Sequence, residues 1–168
     1  MRLGALIAVG LLAASPALAD PVCTKLAWPV DHELALMSAA NADTASGTTI
    51  AGAPPLGLSL KLATGVALPA ASLKSVDPAK FAGFVTLSAP APGDYLVSLS
   101  GEAWVDVIQN GHSIVATDHS GDPNCPGLRK SVRFTLMGAP VTLEISNAPE
   151  DHIRIAVTPW FVGATPTR

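Results

Sequence analysis

Positive charge is in short supply in this chain. Ten Lys and Arg stand against thirteen Asp and Glu, and charged residues make up only 14% of the sequence. Without a basic stripe to follow a phosphate backbone, nucleic acid is excluded as a partner. Aromatics are equally thin at 5%, a poor supply for a sugar-binding surface that stacks several exposed rings. Long helices are excluded by fifteen Pro and fourteen Gly, which punctuate the chain too often. The familiar catalytic signatures are missing as well. His32-Glu33 has no second His four residues on, so no zinc-protease motif exists. There is no G-x-S-x-G elbow, and "ASLK" at 71–74 is one residue short of S-x-x-K.

What is present begins with a leader. "MRLGALIAVGLLAASPALA" carries a basic residue at Arg2, an apolar run and an Ala-Leu-Ala before Asp20, the pattern of a secretory signal peptide over residues 1–19. The apolar run from Leu3 to Ser15 is too short to span about 30 Å of hydrocarbon. "DPVC" at 20–23 lacks the small residue that lipoprotein processing wants before its Cys. The expectation is therefore a periplasmic or secreted protein with no membrane insertion after signal cleavage.

One segment has helical character. In "DHELALMSAAN", Asp31 is available as an N-cap and Glu33 lies in the first turn, while Val30, Leu34 and Met37 recur at helical spacing. This predicts a short helix over about 31–42, within an N-terminal segment of residues 20–55 that ends in a loop, "ADTASGTTIAGAPP". From position 56 the period switches to two. "LGLSLKLAT", "FAGFVTL", "DYLVSLS", "AWVDVIQ", "HSIVAT", "KSVRFTL", "PVTLEIS" and "HIRIAVT" read as short strands between Pro and Gly turns. Asn110-Gly111 is the strongest hairpin signal among them. The fold expected over residues 56–160 is an antiparallel β-sandwich of jelly-roll type, followed by a tail at 161–168.

Parity assigns the faces. Tyr95, Val97 and Leu99 point one way, as do Val132, Phe134 and Leu136, then Val141, Leu143 and Ile145, then Ile153, Ile155 and Val157. Their opposite sides carry Ser131, Arg133, Thr135, Thr142, Glu144, Ser146, His152 and Arg154, which predicts a solvated outer face. Strand 103–109 is apolar on both sides, so its outer side should be covered, by the N-terminal helix.

The run "GDYLVSLSGEAWVDVIQNGHSIVATDHSG", followed by "SVRFTL", "APVTLEIS" and "HIRIAVT", resembles exported β-sandwich modules of the pre-peptidase C-terminal type. The likeness covers residues 80–158 and lies in Gly-x-Tyr entering a strand, alternating Val and Asp, a turn-Gly hairpin and two closing strands. It implies a non-catalytic accessory or binding fold. The chain is also similar to short secreted proteobacterial proteins loosely named homogentisate dioxygenase, although the iron-ligand pattern of true enzymes of that name maps onto no positions here.

Three site readings follow from the residues. Trp104, Asp106, Arg133, His152 and Arg154 could join into a small patch for an anionic ligand or sugar, with Arg133, Glu144 and Arg154 forming a cross-strand charge ladder. Asp118, Ser120, Asp122 and Asn124 fall at every second position, the spacing of linear calcium loops, but Gly121 sits at the fourth place and Arg129 at the twelfth, where Gly is wanted sixth and Glu twelfth. The alternative to a binding module for a small ligand or protein partner is thus a metal-dependent enzyme using Asp118 and His119. His112 is an unsuitable second imidazole, since seven residues of strand would put it roughly 23 Å from His119. Asp106 and Glu144 could also meet on one face as a carboxylate pair. Lastly, two Cys in a chain bound for an oxidising compartment predict a Cys23–Cys125 disulfide, making "DPNCPG" a stapled turn.

Overall fold

The computed structural model describes residues 23–39, 43–88 and 90–160. The expected leader at 1–19, the tail at 161–168 and positions 40–42 of the expected helix lie outside the described residues. The described residues form one α-helix, α1 (Asp31–Ala39), and twelve strands. These are β1 (Asp43–Ala45), β2 (Thr48–Ala51), β3 (Leu56–Ser59), β4 (Lys61–Leu62), β5 (Phe81–Ser88) and β6 (Gly93–Leu99). They continue with β7 (Trp104–Gln109), β8 (His112–Ile114), β9 (Asp118–Gly121), β10 (Lys130–Leu136), β11 (Val141–Ala148) and β12 (His152–Pro159). The first sheet has the order β1-β3-β12-β6-β10-β9 and the second β2-β5-β11-β7-β8, with β4 beside β5.

The alternation seen in the sequence fills the space between the sheets. Leu58, Val97, Leu99, Phe134 and Ile155 from the first sheet meet Val85, Leu87, Val107, Leu143 and Ile145 from the second in one apolar cluster. Burying each such side chain stabilises the fold by about 1.5–3 kcal/mol. The β-sandwich expected from periodicity is the fold observed. Asn110 and Gly111 adopt φ of 54° and 77°, the two positive values a type I′ hairpin requires, and Gln109 pairs with His112 across the turn.

Four expectations need correction. The sheets are mixed, because β1 pairs with β3, and β2 with β5, in parallel. Both short strands come from the segment read as a loop. Gly47, at φ 91°, reverses the chain between them, and the two arms then part, one to each sheet. The charge ladder does not form either. β10, β11 and β12 alternate between sheets, so Arg133 and Arg154 flank β6 in the first while Glu144 lies in the second. Leu62, which the alternation in "LGLSLKLAT" sets with Leu56, Leu58 and Leu60 on a buried face, is 50% exposed, on the two-residue strand β4.

The fourth correction concerns the outer faces, both of which are roofed. Over the first sheet, α1 and the segment before it place Trp28, Val30 and Met37 against Leu96, Leu128 and Ala156 in a second apolar cluster. The helix therefore covers β6 and β12, not the strand at 104–109. The Cys23–Cys125 disulfide, joining residues 102 apart, ties this roof to the turn after β9. Ala27 N–H donates to Ser120 Oγ at 2.7 Å and fastens the same corner. Leu34 N–H donates to the Val30 carbonyl at 2.9 Å, so the helix opens at Val30 and Asp31 is already inside its first turn. Glu33 is buried and accepts the Thr158 hydroxyl at 2.6 Å. The disulfide fits a protein that resides outside the cytoplasm, and no described helix is long and apolar enough to cross a membrane.

Candidate functional site

The second sheet is roofed by an irregular strap, residues 66–80, which follows a single 3-10 turn at Ala63–Gly65. Its backbone has no ladder of its own, so its N–H groups need acceptors from the sheet below. Three polar side chains supply them. Glu144 Oε1 accepts Ala70 N–H at 2.6 Å, and Asp106 Oδ2 accepts the Ser72 hydroxyl at 2.6 Å and Leu73 N–H at 3.2 Å. Asn147 accepts Asp77 N–H at 2.8 Å and donates to the Ser75 carbonyl at 3.0 Å. A register shift in the β11–β5 pairing between Ile145 and Ala148, with Asn147 at φ 58°, turns that side chain toward the strap.

The carboxylate pair read from parity exists. Glu144 and Asp106 are direct partners across β11 and β7, and both are almost fully buried. Trp104 Nε1 donates to Asp106 Oδ1 at 2.9 Å, which leaves Asp106 with three donors. Glu144 Oε2 has none. Burial raises the Glu144 pKa above the ordinary 4.5, Asp106 adds to the rise, and the Ala70 N–H opposes it. With the strap closed over them, these acids hold a segment in place and present no open pair to a substrate.

Beside this latch the sandwich is open. β8 pairs only with Val107–Gln109, then the chain leaves the second sheet and returns as β9 in the first. The Trp104–Asp106 half of β7 is thus left without a strand neighbour on that side. The gap exposes core-facing side chains to a cavity of about 190 Å³. Its walls are Val105 and Ile114 from one sheet and Val132 and Phe134 from the other, with Ala116 at the crossing and Leu73 of the strap above. Leu73 is 61% exposed, so apolar surface continues outward from the opening.

The cavity adjoins a more open cleft of about 430 Å³, with Trp104, His119 and Lys130 common to both. Lys74, Arg129 and Glu102 line the outer part. Lys74 Nζ lies 5.4 Å and Lys130 Nζ 5.7 Å from the centre of the Trp104 ring, both within cation–π range. Burial lowers the Lys130 pKa from the ordinary 10.5, and repulsion from Lys74 and Arg129 lowers it further against the pull of Glu102 and Asp106.

Of the five residues read as a ligand patch, only Trp104 and Asp106 reach this opening. Arg133 lies on the first sheet, 3.7 Å from Asp118 and stacked 5.7 Å over Trp160. His152 faces Asp43 at 3.5 Å, and Arg154 reaches the Met37 carbonyl at 3.4 Å. The patch is therefore divided between the two sheets. The calcium-loop spacing is divided too. Asp118 and Ser120 stand on a strand, while Asp122 and Asn124 belong to the turn beyond it. Ser120 serves Ala27, and Asp122 Oδ1 accepts Asn124 N–H at 2.9 Å. His112 and His119 fall in different sheets. Among the described residues no group of three or more His, Cys, Asp or Glu could hold a metal ion.

Sequence reading missed Lys74, Arg129 and Lys130 as parts of one opening. The signal available was Trp104 itself, an aromatic on the polar parity of a central strand. Comparison with family models, curated proteins and solved structures gives no match.

Proposed function

We propose that this is an exported, non-catalytic β-sandwich that binds a small ligand in the cavity between β7 and β10. The observation that carries the reading is an apolar space of about 190 Å³ reached from outside, where close-packed sandwich cores ordinarily leave none. An accessory binding role also agrees with what the likeness to pre-peptidase C-terminal modules implies. Export is supported by the leader pattern and the disulfide.

The test uses toluene as a neutral apolar probe and the methyl NMR signals of Val105, Ile114 and Val132 as reporters. Saturable shifts confined to these methyls are expected, and Ile114→Trp, which fills the opening, should abolish them. Shifts that never saturate, or that spread evenly over surface methyls, would remove the reading.

A further inference from the structure

We infer that the occupant of this cavity is a small amphipathic carboxylate, one ring or a short alkyl chain carrying a single anionic group. Its apolar body lies between the sheets and its carboxylate at the mouth, among Lys74, Arg129 and Lys130. The inference rests on the binding reading above and adds the chemistry of the ligand.

Size limits the body. An apolar cavity of about 150 Å³ takes benzene, so 190 Å³ holds a single ring or a chain of similar volume and no more. A bare inorganic anion would leave the Val105, Val132 and Phe134 walls without a partner, and a full lipid chain would not fit.

Charge fixes the head group. Three cationic side chains line one mouth, and among the described residues none of them makes an ion pair; the two pairs present are Arg133–Asp118 and His152–Asp43. The neighbouring acids offset them only in part. Asp106 is already committed to the Trp104, Ser72 and Leu73 donors, and Glu102 sits exposed at the rim. Lys74 and Lys130 both rest on Trp104, and the crowding of like charge is what holds the Lys130 ammonium below its usual range after burial. An entering carboxylate would relieve that repulsion and accept charge-assisted hydrogen bonds from a desolvated ammonium, which are the stronger kind. Trp104 and Lys130 line both the cleft and the cavity, so one ligand can touch both parts.

The test titrates the full-length oxidised protein with benzoate, benzyl alcohol and benzylamine, reading heat and the same methyl signals. Benzoate should bind roughly tenfold or more tightly than benzyl alcohol, and benzylamine weakest, since hydrogen bonds to charged groups are the stronger kind. The Lys74→Met/Lys130→Met double variant keeps the alkyl stems and removes a desolvated charge, so folding is retained. It should remove most of the preference of benzoate over the alcohol, leaving only the part that Arg129 supplies. Benzyl alcohol binding as tightly as benzoate would overturn the carboxylate while leaving the cavity site intact. No methyl shift with any probe would overturn both.

Discussion

On one side of the sandwich, Trp28, Val30 and Met37 press onto Leu96 and Ala156, and a disulfide holds them there. On the other side, the strap lies on Asp106, Glu144 and Asn147 through hydrogen bonds. The first roof relies chiefly on apolar contact, which is non-directional, and on a covalent tether, with the Glu33–Thr158 and Ala27–Ser120 hydrogen bonds beside them. The second relies on aligned donors and on the charge state of buried acids. The difference shows where this molecule can yield. Hydrogen bonds over a segment with no ladder of its own open locally at far lower cost than a packed helix stapled at its start. The ligand cavity lies against the second roof, where Leu73 and Asp106 belong to both.

Breaking the covalent tether should have the largest effect. Cys125→Ser frees a loop of 102 residues, and the chain-entropy account puts the loss near 4.7 kcal/mol as an upper figure. Urea denaturation measures it; a loss under about 1 kcal/mol would mean that apolar packing alone seats the first roof.

Asp106→Ala attacks the second roof and should cost about 3 kcal/mol, since it strands the Trp104 indole N–H and releases Ser72 and Leu73. Amide hydrogen exchange should quicken at Leu73 while the helix amides over Met37 keep their protection. Equal quickening on both sides would erase the contrast between the roofs.

Glu144→Gln should be milder, within about 1 kcal/mol at neutral pH, because the amide carbonyl still accepts Ala70 N–H. Its value lies in the pH profile. A carboxyl whose pKa is raised on folding contributes stability that is fully present below its unfolded value, near 4.5, and lost as pH rises through the folded value. The wild type should therefore lose part of its stability as pH climbs above 4.5, and the Gln variant should lack that component. Superimposable profiles would mean that Glu144 carries no such penalty.

The smallest effect belongs to Arg133→Ser with Arg154→Ser. Arg133 makes a solvent-reached pair with Asp118 and Arg154 a long contact to Met37, so the melting temperature should move by only a few degrees. A larger fall would show that the apolar roof depends on these cations.

How far the sequence carries can be seen at particular residues. Tyr95, Val97 and Leu99 announced the core by parity, and Asn110-Gly111 announced its hairpin, because both signals are local. The first roof was announced more quietly. Leu96 and Ala156 are apolar residues on the polar parity, and a sheet face that carries them has a cover. Assigning the helix to the other face overlooked this clue, as well as the expected bond from Cys23 to the turn after β9. The strap was illegible for a different reason: what binds it to Asp106 and Glu144 is mostly backbone N–H, which every residue but Pro possesses. The cavity depends on where β8 leaves its sheet, and its lysines are brought together from positions 74 and 130 only by the finished topology. Asp106 and Glu144 were paired correctly because parity alone places both on one outer face.

The β1–turn–β2 segment, with one arm in each sheet, bears on how long the native state lasts once formed. Its first arm joins Asp43 to Gly57 in one sheet and its second joins Thr48 to Val85 in the other, so the segment is fully paired only after both sheets have taken shape. Contacts of such wide separation form late, and what forms after the transition state retards unfolding without hastening folding. Prying the sheets apart from this side means undoing one or other of two parallel pairings. The linked arms thus act on the clock of the folded protein, lengthening the residence of each molecule in its native state.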